Sequence, residues 1–181
     1  MCQNNKLTIC GLFAILVFLS IETEAREPYE STYQPRVTND LLIKNATILD
    51  GKGAKLLRTD VSISAGKITK IEEGIVDDHA NIIDADGKWL TPGIIDVHSH
   101  LGVYPSPSIS ATSDGNESTS PNTARVWAEH SVWPQDPQFG LALAGGVTTL
   151  QILPGSANLF GGRGVTLKNV PSRTVQGMKF P

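Results

Sequence analysis

The order of patterns between residues 93 and 153 constrains this chain more than any other feature. Gly93-Ile94-Ile95-Asp96-Val97-His98-Ser99-His100 starts as an apolar run of strand length and ends in polar residues. A long irregular stretch follows over residues 101–133. Helix signals then return. Asp136 suits the N-cap and Pro137 the first helical position. Gln138-Phe139-Gly140-Leu141-Ala142-Leu143-Ala144 forms the body, and Gly145 is free to take a left-handed end. Residues 147–153 are again apolar and β-branched, which reads as a buried strand. Strand, loop, helix, strand is a crossover, and a crossover joins parallel strands. In parallel α/β sheets the loops beyond the strands' carboxyl ends build the ligand site. His98, His100 and the glycine-rich loop 154–164 all fall on that side.

Upstream the pattern is different. Residues 41–49 read as a strand closed by the turn Asp50-Gly51-Lys52-Gly53. Val61-Ser62-Ile63-Ser64 and Lys67-Ile68-Thr69-Lys70-Ile71 alternate around Ala65-Gly66, as a hairpin with one buried face does. Ile82-Ile83-Asp84-Ala85 and Trp89-Leu90 flank a second tight turn at Asp86-Gly87. Residues 41–91 are therefore expected to be short antiparallel strands, a β-unit too small to complete a core alone. Residues 26–40 are polar, with Pro28 and Pro35, and read as an extended linker.

Residues 1–25 read as a signal peptide: Lys6, an apolar run over 7–21, and small Thr23 and Ala25 before the cleavage point. Cleavage would leave no stable membrane span and place the protein in a periplasm or outside the cell. Cys2 and Cys10 both lie in this leader, so the mature chain would have neither a disulfide nor a thiolate ligand. The 181 residues carry a net charge of −3 and no block of Lys or Arg, which argues against a nucleic-acid partner.

His98 and His100 stand two apart on a strand, so both imidazoles project from one face. Neutral imidazole is a common zinc ligand. Asp96 shares that face, deeper in the strand, where a carboxylate can orient a ligand histidine. Taken bare, a His-x-His pair reads as two surface histidines; the strand before it and the crossover after it favour a ligand pair. His130, Ser156, Asn158 and Arg163 are weaker candidates for touching substrate, His130 reading first as a surface loop histidine and the other three as residues of a structural loop. Gly161-Gly162-Arg163-Gly164 lacks the Lys-Ser/Thr ending of a phosphate loop.

Thr91-Pro92-Gly93-Ile94-Ile95-Asp96-Val97-His98-Ser99-His100 resembles the signature of the amidohydrolase superfamily, which includes dihydroorotase, hydantoinase and imidazolonepropionase. Ile48-Leu49-Asp50-Gly51 and Ala65-Gly66-Lys67-Ile68 are similar to that superfamily's leading β-unit, and Ala144-Gly145-Gly146-Val147-Thr148-Thr149 to its second barrel strand. Trp133-Pro134-Gln135-Asp136-Pro137 and Pro154-Gly155-Ser156-Ala157-Asn158 resemble an exported, imidazolonepropionase-related subgroup. The resemblance implies an α/β fold. Residues 41–91 would be part of a small β-sandwich, and residues 92–181 the start of a (β/α)8 TIM-type barrel. It implies one or two divalent metal ions, zinc above all, and hydrolysis of amide or cyclic amide C–N bonds by metal-activated water. The substrate would be a small-molecule amide or a dipeptide. Such a barrel takes roughly 250 residues. The catalytic base, further histidines and often a carboxylated lysine are thus expected beyond Pro181. The expectation is an N-terminal portion that alone binds metal weakly and turns nothing over. The competing expectation is a non-catalytic binding or structural protein that keeps part of this fold. The sequence leaves the oligomeric state open.

Overall fold

The computed structural model describes residues 29–112 and 115–181; the predicted leader, with both cysteines, lies outside them. The chain builds two sheets. The first holds β1 (Leu41–Leu49), β2 (Lys55–Ser64), β3 (Lys67–Glu72), β4 (Asn81–Asp84) and β5 (Trp89–Leu90). The second holds β6 (Ile94–Ser99), β7 (Val147–Ile152) and β8 (Val165–Lys168), with helix α1 (Pro137–Ala144) between β6 and β7.

The hairpin expected at Ala65-Gly66 joins β2 to β3 with Ser64 opposite Lys67. Ala65 and Gly66 take φ of 50° and 73°, the two positive values that a two-residue type I′ turn requires. The purely antiparallel expectation does not extend further. The strand order is β3-β2-β1-β4, and both β4 and β5 run parallel to β1, with Leu42 opposite Ile82 and Ile48 opposite Leu90. Residues 73–80 carry the chain across from the β3 edge to the far side of β1, and such a crossover restores the strand direction. Asp86-Gly87 therefore reverses nothing. It kinks one edge strand between its β4 and β5 halves, with Gly87 N donating to Asn45 O at 2.9 Å. The kink matches one in β1, where Asn45 has φ 56°. The buried Asp60 carboxylate accepts from Asn45 N (2.9 Å) and Ile75 N (3.0 Å), two amides that would otherwise lack partners. Ala46, Ile48, Val61 and Ala85 form this sheet's small core. Ile68, Ile71, Ile82 and Ile83 stay exposed, and the second layer of a sandwich is not found among the described residues.

In the second sheet β6 and β7 pair in parallel, as the crossover demands. α1 spans the predicted residues, with Asp136 as N-cap and Pro137 first. Its end differs: Gly145 has φ −80°, and Gly146 takes the positive φ of 91°. Gly145 N bonds Leu141 O at 3.1 Å and so completes the last helical turn, which moves the reversal one residue on. β8 is antiparallel to β7, with Leu150 opposite Leu167. Residues 153–164 contain no helix, so the chain turns back instead of crossing over. Residues 92–181 thus show the expected β/α/β crossover unit, followed by an antiparallel return. Phe139, Leu150, Ile152, Leu167 and Met178 centre the main core.

The irregular stretch 101–133 is laced to the glycine-rich loop. Thr123 N reaches Phe160 O at 2.8 Å, and Ala128 N reaches Arg163 O at 2.8 Å. The segment expected as a linker is extended but anchored. Thr32 N donates to Gln176 O at 3.0 Å and Ser31 Oγ to Lys179 O at 2.7 Å. Beneath it the buried Glu129 carboxylate takes Lys179 Nζ at 2.7 Å and Tyr29 N at 3.2 Å. Among the described residues no helix is long and apolar enough to cross a membrane.

Candidate metal centre

The parallel pairing of β6 with β7 brings their carboxyl ends together. Leu153 N donates to Ser99 O at 2.9 Å, which places Leu153 beside His100. His100 Nδ1 then lies 2.8 Å from Leu153 O. A carbonyl oxygen only accepts, so Nδ1 carries the proton and the Nε2 lone pair is left for a ligand. The His98 ring stands 5.3 Å from that of His100, centroid to centroid, at 82°. Two imidazoles each bound about 2.1 Å from one ion would place their centroids roughly 5 Å apart, a spacing close to that of this pair.

Asp96 joins this cluster by a different contact from the one expected. Its Oδ1 accepts the backbone N–H of His98 at 3.1 Å. The cause lies in the register: from Asp96 to Ser99, β6 uses one more residue than β7. Such a bulge takes an amide out of the ladder and re-aims the side chain on it. Asp96 thus fixes the backbone that carries one imidazole.

The four weaker candidates lie elsewhere. His130 Nε2 is 3.6 Å from Glu129 Oε1, and its ring meets Tyr29 at 5.8 Å. The Arg163 guanidinium stacks on Trp127 at 4.6 Å. Asn158 Nδ2 donates to Ser120 O at 2.7 Å, pinning one loop to the other. Ser156 is exposed. None of the four makes a hydrogen bond, ion pair or ring contact with His98 or His100 among the described residues.

Two contributors went unnoticed in the sequence. One is the Leu153 carbonyl, a backbone atom that no residue pattern signals. The other is Tyr104, whose ring meets His100 at 5.5 Å and 87°. Its loop is held by the helix start: Asp136 Oδ2 accepts Gly102 N at 2.9 Å, and Gln138 Nε2 donates to Tyr104 O at 3.1 Å.

The donor set is two imidazoles, one with its Nδ1 hydrogen-bonded to a carbonyl, and imidazole nitrogens suit zinc. It does not fill a tetrahedral shell. Among the described residues no group of three or more His, Cys, Asp or Glu side chains could hold an ion.

No family model matches the chain. It is 40% identical over 118 residues to an amidohydrolase of Hapsidospora irregularis, covering 63% of this chain and 12% of that protein. It is 43% identical over 60 residues to a dihydroorotase of Bacillus thuringiensis (strain Al Hakam), covering 33% of this chain and 14% of the relative. Among solved structures, an amidohydrolase from Thermotoga maritima MSB8 matches with a TM-score of 0.70 and 43% identity, over 77% of this chain and 36% of that one. The chain therefore spans about an eighth of these curated relatives and about a third of the solved structure. These relatives are named as amidohydrolases and a dihydroorotase, which supports the amidohydrolase superfamily.

Proposed function

We propose that this chain is the N-terminal portion of a metal-dependent amidohydrolase that cleaves amide or cyclic amide C–N bonds, with His98 and His100 as two ligands of a divalent ion, zinc. The bond from His100 Nδ1 to Leu153 O carries this reading, because it prepares Nε2 as a ligand at the joint carboxyl end of two parallel strands. When bound, the ion supplies Lewis acidity toward a substrate carbonyl. Leu153 O holds the His100 ring, and Asp96 holds the backbone of His98.

On this reading β6, α1 and β7 begin a (β/α)8 barrel, and residues 41–91 are part of its β-sandwich. The remaining ligands and the aspartate that moves the proton lie outside the described residues. Trp133-Pro134-Gln135-Asp136-Pro137 supports the imidazolonepropionase-related subgroup, and the leader 1–25 supports export to a periplasm or the exterior. A small cyclic amide and a dipeptide both suit the site.

The test uses the full-length protein with zinc, assayed against cyclic amides and dipeptides. His98→Ala and His100→Ala should each lower turnover by more than the ~100-fold upper end typical of outer-shell changes. The polypeptide of residues 1–181 should turn nothing over. Turnover that persists in both variants, or hydrolysis by residues 1–181 with tight zinc, would contradict the reading.

A further inference from the structure

Tyr104 is held more firmly than a loop residue needs to be. Its backbone N donates to His100 O at 3.0 Å, and its carbonyl accepts from Gln138 Nε2 at 3.1 Å. The ring fills the space that side chains at two glycines would need. A Cβ at Gly115 would lie 2.2 Å from Tyr104 Cζ, and one at Gly155 would lie 2.1 Å from both the Tyr104 hydroxyl oxygen and Asn116 Oδ1. These two glycines face each other directly, with Gly155 N bonded to Gly115 O at 2.6 Å. The clamped ring presents itself to His100 at 5.5 Å and 87°, while His98 meets the same imidazole at 5.3 Å and 82°.

His100 thus has its Nδ1 tied to Leu153 O and beside it an aromatic ring, 38% exposed, that lies against Gly115 and Gly155. A hydrogen bond at one ring atom still allows the imidazole to swing about that contact. A packed neighbour removes the swing, and ligand affinity is sensitive to such orientation. We propose that Tyr104 is a positioning residue for the metal centre, and that Gly115 is small because the tyrosine occupies its side-chain space. The role belongs to the ring and not to the hydroxyl. This proposal rests on the reading of His98 and His100 as metal ligands.

The test measures zinc affinity and the visible spectrum of the cobalt(II)-substituted protein, using the full-length chain. Tyr104→Ala should weaken zinc binding by about 10-fold and shift the cobalt bands, while Tyr104→Phe should restore both. Gly115→Ala should reproduce the Tyr104→Ala effect, because the three atoms nearest its methyl all belong to that ring. The double variant should be no worse than either single one. Thermal melting of the metal-free proteins separates this from general unfolding. The proposal fails if Tyr104→Ala and Gly115→Ala bind zinc like the parent, if Tyr104→Phe is as weak as Tyr104→Ala, or if the single losses simply add. Zinc binding that is insensitive to His98→Ala overturns the ligand reading itself, and this proposal with it.

Discussion

β6 and β7 are hydrogen-bonded neighbours in one sheet, yet they live in opposite surroundings. On β7, Leu150 and Ile152 are both 0% exposed, covered by β8, α1 and the loops folded over them. On β6, Ile94, Ile95 and Val97 are 53%, 65% and 66% exposed. Among the described residues β6 has a ladder partner on one edge only. The strand that carries the histidines therefore owes its place to backbone bonds and to the loop after it, and little to packing. Stability resides in the β7 core and chemistry at the end of β6, so the two are separable by mutation. Three exposed apolar side chains on one short strand are also an unusual surface for solvent, and the proposed barrel would cover them.

The largest effect should come from deleting the packed side. In the polypeptide of residues 1–181, Leu150→Ala should cost about 3–5 kcal/mol in denaturant unfolding, and Ile95→Ala no more than about 0.5 kcal/mol. Equal losses would break the contrast and show that β6 is covered in solution. A smaller loss, about 2 kcal/mol, is expected for Asp136→Ala. It removes the helix cap, worth about 1 kcal/mol, and strands the Gly102 amide, for another 1 kcal/mol or so. Faster hydrogen exchange at Gly102 and Ser106 should accompany it, since both amides bond that carboxylate. Unchanged exchange there would mean that the loop bearing Tyr104 is held by something else.

The smallest effect concerns the first sheet. Asp50 is held below the ordinary carboxylate value of 3.8, chiefly by the Lys52 amide and then by that of Ala54. Asp84 is likewise lowered, first by the Asn45 side chain. Each group lowered in the folded state adds stability above 3.8 that is lost as pH falls through its lower folded value. Carboxyl titration by NMR should find both midpoints below those of the unfolded chain. Midpoints at or above that value would contradict the turn geometry.

Much of the frame was legible in the sequence, for local reasons. Asp136-Pro137 fixes a helix start through one side chain and one ring, and Ala65-Gly66 fixes a hairpin through two backbone angles. The parallel run of β6 with β7 followed from the helix between them. What escaped was decided at a distance. β4 joins β1 in parallel and β8 returns antiparallel, and both choices depend on which edge is open when the chain arrives. At the site, the histidine pair and Asp96 were readable from alternation on a strand. The contact that Asp96 makes was not, because a bulge decides it. The Leu153 carbonyl leaves no trace in residue types, and Tyr104 sits in a stretch whose only visible pattern was irregularity.

The central claim is that His98 and His100 bind a metal ion, and zinc stoichiometry tests it most directly. The full-length protein, stripped with chelator and reloaded by equilibrium dialysis, should bind one or two zinc ions per chain, and His98→Ala/His100→Ala should lose at least one of them while melting like the metal-free parent. Full zinc content in that double variant, or none in the parent, would contradict the account.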